Sequence, residues 1–115
     1  MKRDYSLFIK DILEAIRLIE EFTADMDFEQ FAADEKTKAA VINKIEIIGE
    51  AAKNISKDIR DRYKDLPWKS MARMSDKISH SYFGINYEIV WEVVKKRLPE
   101  IKPMLEKIFN DMERE

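Results

Sequence analysis

The stretch EKTKAAVINKIEIIGEAAKNI, residues 35–55, decides the fold. At 3.6 residues per turn, Val41, Ile45, Ile48, Ala52 and Ile55 fall on one face. Ala40, Ile47 and Ala51 lie beside that face, and Ile42 and Gly49 on its other flank. The apolar arc is roughly 220° wide, well beyond the one-sided stripe of a surface helix. Asn43, Glu46, Glu50 and Asn54 form the remaining polar stripe. Such a helix needs neighbours on several sides. It is either the centre of a bundle or is also buried in an oligomer, and Gly49, Ala51 and Ala52 let another backbone come close.

Working outward, the same period continues. Phe8, Ile12, Ile16 and Ile19 recur at spacings of three and four, which predicts a helix from about Asp4 to Thr23. The acidic connector DMDFEQFAAD, residues 25–34, holds a short helical turn anchored by Phe28 and Phe31. Residues 57–66 read as a short basic helical extension. Pro67 suits the first turn of a new helix, where its missing N–H costs nothing. Trp68, Met71, Ala72 and Ile78 supply that helix's apolar contacts, and Gly84 breaks the pattern. Asn86 is an expected N-cap for a helix carrying Ile89, Val90, Val93, Val94 and Leu98. Pro99 is expected to end it and start the last helix, with Ile101, Met104, Leu105, Ile108 and Phe109 spaced for burial. The fold class is all-α: an up-and-down bundle of four to five helices, forming one domain over residues 1–115.

Composition narrows the chemistry. A chain of 115 residues has room for one domain. With 45% hydrophobic and 38% charged residues it is no disordered tail, and two Gly and three Pro are too few for a turn-rich all-β architecture. Cys is absent, which removes disulfides, thiolate metal sites and a cysteine nucleophile. The single His removes a zinc site built on two or three imidazoles, and no metal is expected. No apolar run approaches the roughly 20 residues that span a bilayer. The N-terminus lacks a signal-peptide apolar region, so the expected location is the cytoplasm with no membrane contact.

Charge is unevenly spread. Residues 1–35 carry a net −6, whereas residues 57–77 carry +3 through Lys57, Arg60, Arg62, Lys64, Lys69, Arg73 and Lys77. This is either a solvated helix face or the place where an anionic ligand is held. The densest cluster of reactive types is RMSDKISHSY, residues 73–82. His80 is the side chain whose ordinary pKa lies near neutrality, so acid–base work falls to it. Asp76 is one turn before it and able to orient the imidazole. Arg73 is two turns before it, about 20° away around the helix and about 10 Å along the axis. That span lets both touch one phosphodiester, with Arg73 on the phosphate and His80 moving a proton. Tyr82 follows closely enough to turn its phenol back to the same place. The competing reading is a histidine that caps or packs near a helix C-terminus. Trp68, Trp91, Tyr87 and Phe83 read as core or interface aromatics, and Glu46 and Glu50 lack the His partners of a metal pair.

The run KAAVINKIEIIGEAAKNIS, followed by LPWKSMARMSDKISHSYFGINYEIVWEVVKKRLPEIK, resembles the HepT-like branch of the HEPN-domain proteins. The specific pieces are Ile48-Gly49-Glu50-Ala51-Ala52, Pro67-Trp68, His80-Ser81-Tyr82-Phe83-Gly84, and Trp91 followed by Leu98-Pro99. The resemblance covers nearly the whole chain. It implies the toxin half of a HEPN/MNT toxin–antitoxin module, a helical homodimer that cleaves RNA without metal or other cofactor. Its motif, Arg-x4–6-His extended to His-x-Tyr, implies catalytic Arg73 and His80. It further implies neutralisation by a partner MNT nucleotidyltransferase, through binding and through attachment of AMP to Tyr82.

At one position the chain departs from that pattern. Many relatives carry Arg followed by Asn or Asp five residues before the His, where this chain has Ser75 and Asp76. Arg73 satisfies the looser spacing, but two positions rotate a helical side chain by about 200°. Lys77, or an Arg from a partner subunit, is an alternative. Two readings follow: an active endoribonuclease, or a weak or inactive helical subunit whose task is to bind the nucleotidyltransferase. A plain dimeric scaffold remains if the motif is coincidence.

Overall fold

A computed structural model describes residues 2–79 and 84–114, with side chains except at residues 2–4, 77 and 79. The elements, all helical, are α1 (Lys2–Thr23), α2 (Phe28–Ala33), α3 (Glu35–Lys53), α4 (Lys57–Arg62), α5 (Trp68–Ser79), α6 (Tyr87–Glu92), a π turn (Val93–Arg97) and α7 (Leu98–Glu113). Each connection is short, and the starts of α2, α3, α4 and α6 are capped by side chains. Asp27 and Gln30 form a reciprocal capping box at α2. Asp34 caps α3, Ser56 caps α4, and Asn86 caps α6 as its sequence position predicts. Pro67 stands one residue earlier than expected, just outside α5, where its carbonyl accepts from Met71 N–H at 2.9 Å.

The helix over 35–53 is the centre of the fold, packed between α1 and α5 with α2 at its start. Its wide apolar arc is thereby covered within one chain: Val41, Ile45, Ile48, Ala51 and Ala52 are buried, while Ile47 remains 37% exposed. Helix α1 contributes Ile9, Ile12, Ile16 and Ile19, all fully buried between α3 and α7. Each such side chain is worth about 1.5–3 kcal/mol of burial. Helix α7 adds Leu98, Ile101, Leu105 and Ile108, and Lys102 ties it to Glu20 of α1 at 2.8 Å.

Two expected C-terminal helices are one continuous helix. Pro99 does not end it. Leu98 N–H donates to the Val93 carbonyl, five residues back, so the turn before the proline is widened into a π turn. Pro99 then sits at the opening of α7, where its missing donor is harmless. Pro103 lies inside α7 on the exposed side, and the buried stripe carries the helix past it.

An aromatic set seats α6 on α2. The Phe31 ring lies 4.9 Å from that of Trp91 and 6.3 Å from that of Tyr87. Lys38, buried on α3, places its ammonium 4.4 Å from the Tyr87 ring centre and 2.7 Å from Glu35. Tyr87 and Trp91 are packing aromatics, as expected; Phe83 lies outside the described residues. Gly84 adopts φ +94°, a conformation L side chains rarely take, which explains the break in helical pattern. No helix among the described residues is long and apolar enough to cross a membrane.

Candidate functional site

The reactive cluster of the sequence begins on α5. This helix turns Trp68, Met71, Ser75 and Ile78 inward, at spacings of three and four, and leaves Lys69, Ser70 and Arg73 exposed. The two candidate positions for the motif arginine therefore lie on opposite sides. Arg73 faces out. Ser75 is buried at the crossing with α3, directly over Gly49. A Cβ on Gly49 would stand 2.7 Å from the Ser75 Cβ and closer still to its Oγ, a separation that real atoms do not adopt. The Ser75 hydroxyl donates to the Ala72 carbonyl at 3.4 Å. Its polarity is thus satisfied within its own helix, and the hydroxyl reaches no surface.

Asp76 is half-exposed and engaged. Lys53 of α3 donates to its Oδ1 at 3.0 Å, and also lies 3.6 Å from Glu50. The Asp76 hydrogen bond is the main cause of an upward shift in the Lys53 pKa, so the ammonium stays charged and α5 is tied to α3. The backbone of Lys77 continues α5, and its side chain is not among those described. His80 and Tyr82 lie outside the described residues, so the relation of Arg73 to either is one of sequence spacing.

Helix α5 borders a cavity of about 450 Å³ whose other side is formed by α6, the π turn and α7. Met71, Met74 and Ile78 line it from α5, and Ile89, Val93 and Ile101 from the other side. Its charged lining is Arg73, Arg97, Glu92 and Glu100. Neither arginine forms an ion pair with a described residue. Arg17, Lys53, Lys57 and Lys102 are each neutralised by a carboxylate within 3.0 Å, whereas exposed Arg60, Lys64, Lys69 and Lys96, like the two arginines, form no ion pair with a described residue; what sets Arg73 and Arg97 apart is that both line the cavity. Arg97 was not among the candidates read from the sequence. Its sequence signal is limited to the apolar series 94, 98, 101, 105, 108 and 112, which leaves the Lys95-Lys96-Arg97 run on the exposed side of the helix. Among the described residues no group of three or more His, Cys, Asp or Glu is placed to hold a metal ion.

The basic run before α5 is not free as a whole. Lys57 pairs with Asp61 at 2.9 Å. Tyr63, at the end of α4, is anchored by its phenol donating to Asp111 at 3.3 Å, and its carbonyl accepts from the Trp68 indole at 3.0 Å. Burial pushes the Tyr63 phenol pKa up. These contacts fasten the approach to α5 onto α7.

Comparison with known proteins gives the chain a family. The family model described as "Ribonuclease HepT-like" matches residues 12–108. A Methanocaldococcus jannaschii protein named "Putative RNase MJ0127" is 47% identical over 114 residues, covering 99% of this chain and 94% of its own. A Thermococcus cleftensis protein named "Probable ribonuclease HepT" is 48% identical over 108 residues, with 94% and 98% covered. A Caldanaerobacter subterraneus relative named "Putative RNase TTE0752" is 38% identical over 101 residues, with 88% and 90% covered. No solved structure gives a significant match. With most of its length inside the family model, and relatives of nearly half identical sequence along their whole lengths, the chain belongs to the HepT-like ribonuclease family.

Proposed function

We propose that the chain is a metal-independent endoribonuclease, the toxin of a HEPN/MNT module, acting as a homodimer and silenced by a nucleotidyltransferase. In this reading His80 takes the proton from a ribose 2′-hydroxyl. The 2′-oxygen attacks the adjacent phosphorus, the bond to the 5′-oxygen breaks, and that oxygen takes a proton from water as it leaves, the His80 proton returning to solvent. Arg73 stabilises the charge that builds on the phosphate, a role suited to a preorganised guanidinium. Asp76 and Lys77 are supporting groups. The reaction needs no cofactor, and Tyr82 is the site at which AMP is attached.

The observation that carries this reading is Arg73 itself. Held on the outer face of α5 beside an open cavity, it is free of any described carboxylate partner. A guanidinium left unneutralised in a protein rich in acidic side chains is available to an outside anion.

A second reading is favoured by Ser75. Where relatives carry the motif arginine, this chain buries a hydroxyl under Gly49. A helical subunit of low activity, whose work is to bind the nucleotidyltransferase, fits that substitution.

The test is cleavage of a fluorogenic oligoribonucleotide in the presence of EDTA. His80→Ala should abolish cleavage with the helical circular dichroism intact. Arg73→Ala should lower it about 100-fold, the scale of losing one charge-stabilising donor. No cleavage by the unaltered chain, together with tight binding to the nucleotidyltransferase, would select the second reading. A monomer by light scattering at micromolar concentration would remove the dimer from either.

A further inference from the structure

We infer that Arg97 and Arg73 together form a phosphate clamp, and that the cavity between them seats one nucleotide of an RNA strand. The inference rests on RNA being the substrate, and it adds a residue that no motif names.

The argument begins with charge. Both arginines line the same cavity of about 450 Å³, one from α5 and one from the π turn. Neither is paired with a described carboxylate, although Glu92 and Glu100 line the cavity too. Two unpaired guanidinium groups at one opening match the planar, bidentate recognition of a phosphate. The helix that carries Arg97 supports this use. Its π turn places an extra residue immediately before the proline, and π turns recur at ligand sites because they re-aim side chains.

The rest of the lining restricts the ligand. Met74, Ile78 and Ile89 offer an apolar wall, and Ile89 is 49% exposed with nothing described covering it. A base can stack and pack there, whereas free phosphate gains nothing from such a wall. Glu92 and Glu100 accept hydrogen bonds from ribose hydroxyls and base amino groups, and they repel a second phosphate. The cavity therefore suits a single nucleotide carrying one anionic group rather than a polyphosphate. The same lining, with both charges around an apolar centre, is also self-complementary under a twofold axis, so a second copy of the chain is the competing occupant.

The experiment uses adenosine 5′-monophosphate and a short oligoribonucleotide with a 2′-O-methyl backbone, which cannot be cleaved. Binding is followed by calorimetry across a salt series. Arg97→Ala should weaken both ligands about tenfold, the loss expected for one charge-assisted contact. It should also reduce the salt dependence of oligonucleotide binding by about 0.7 in the log–log slope. Lys10→Ala, on the remote α1, should change neither. Unchanged binding by Arg97→Ala overturns the inference, as does a variant that binds normally but changes oligomeric state, which assigns the cavity to a second copy. Because the readout is binding, an unaltered chain that binds through Arg97 but cleaves no RNA defeats the proposed activity and leaves the clamp standing.

Discussion

Ser75 of α5 sits directly over Gly49 of α3, so close that a Cβ on the glycine would overlap the serine side chain. This contact sets the distance between the central helix and the helix that carries Arg73. It accounts for a glycine inside a 19-residue helix, where glycine normally costs about 1 kcal/mol relative to alanine. Gly49→Ala should therefore destabilise the fold despite its better helix propensity, by about 1–3 kcal/mol through overpacking. Urea denaturation measures it. Adding Ser75→Gly should recover part of the loss, and a double variant less stable than Gly49→Ala alone would disprove the coupling.

The same contact bears on activity. Gly49 carries no side chain to meet the first methylene of a longer residue at position 75, whose Cγ takes the place of the serine Oγ. On the proposed function, Ser75→Arg restores the arginine of the usual motif and should raise oligoribonucleotide cleavage at least tenfold. That gain should vanish when His80→Ala is added. An unchanged rate in a folded Ser75→Arg chain would show that the serine is no deficit and that Arg73 is sufficient.

The proposed control through Tyr82 gives a mass-spectrometric prediction. On that proposal, incubation with a cognate nucleotidyltransferase, ATP and Mg²⁺ should add one or more AMP units and abolish cleavage. On the proposed function AMP adds bulk and negative charge where the RNA phosphate is to bind, so phosphate is excluded by both. Tyr82→Phe should abolish the shift. Tyr63 and Tyr87 are poor alternatives: the first donates its phenol proton to Asp111, and the second packs on Phe31 beneath Lys38. Fragment ions placing AMP on either would move the site.

The cap of α3 predicts an acid response. The Asp34 carboxylate accepts from the Thr37 backbone N–H at 3.0 Å and from its hydroxyl at 2.8 Å. These bonds, the backbone one foremost, hold its pKa below the ordinary 3.8. A lowered folded pKa gives stability that is complete above the unfolded value and is lost as pH falls through the folded one. The urea midpoint of Asp34→Ala should thus trail the unaltered chain at neutral pH, and the gap should narrow below pH 3.8. A gap independent of pH would show that the carboxylate charge is irrelevant to the cap.

Much of this was legible because apolar spacing is a direct record of burial. Val41, Ile45 and Ile48 on α3, and Ile12, Ile16 and Ile19 on α1, are fully buried where period predicts. The opposed orientation of positions 73 and 75 also follows from helical geometry alone. Two features did not. Pro99 reads as a stop because proline lacks a donor, yet a hydrogen bond from Leu98 to Val93 widens the turn and carries the helix through. And the breadth of the α3 arc, which on sequence alone allowed an oligomer interface, is used largely within one chain, since spacing gives how much surface is covered and not by which neighbour. Arg97 was missed because spacing places it on an exposed helix face without saying that α5 lies across a cavity from it.

The π turn has a consequence for the history of the chain. A π turn is an α-helix with one residue too many, absorbed locally so that both flanks keep their places. Elsewhere in α6 or α7, gaining or losing a residue would swing everything beyond it by about 100° and drag the buried series off the core. Between Val93 and Leu98 length and register are uncoupled. Lys95 and Lys96 are both exposed there, so a residue lost from this turn leaves Leu105 and Val90 buried, at the cost of closing an ordinary turn against Pro99, which lacks a donor. Family members that differ by a single residue at this point would share one core while presenting different side chains to the cavity, a cheap way for closely related ribonucleases to diverge in what they hold.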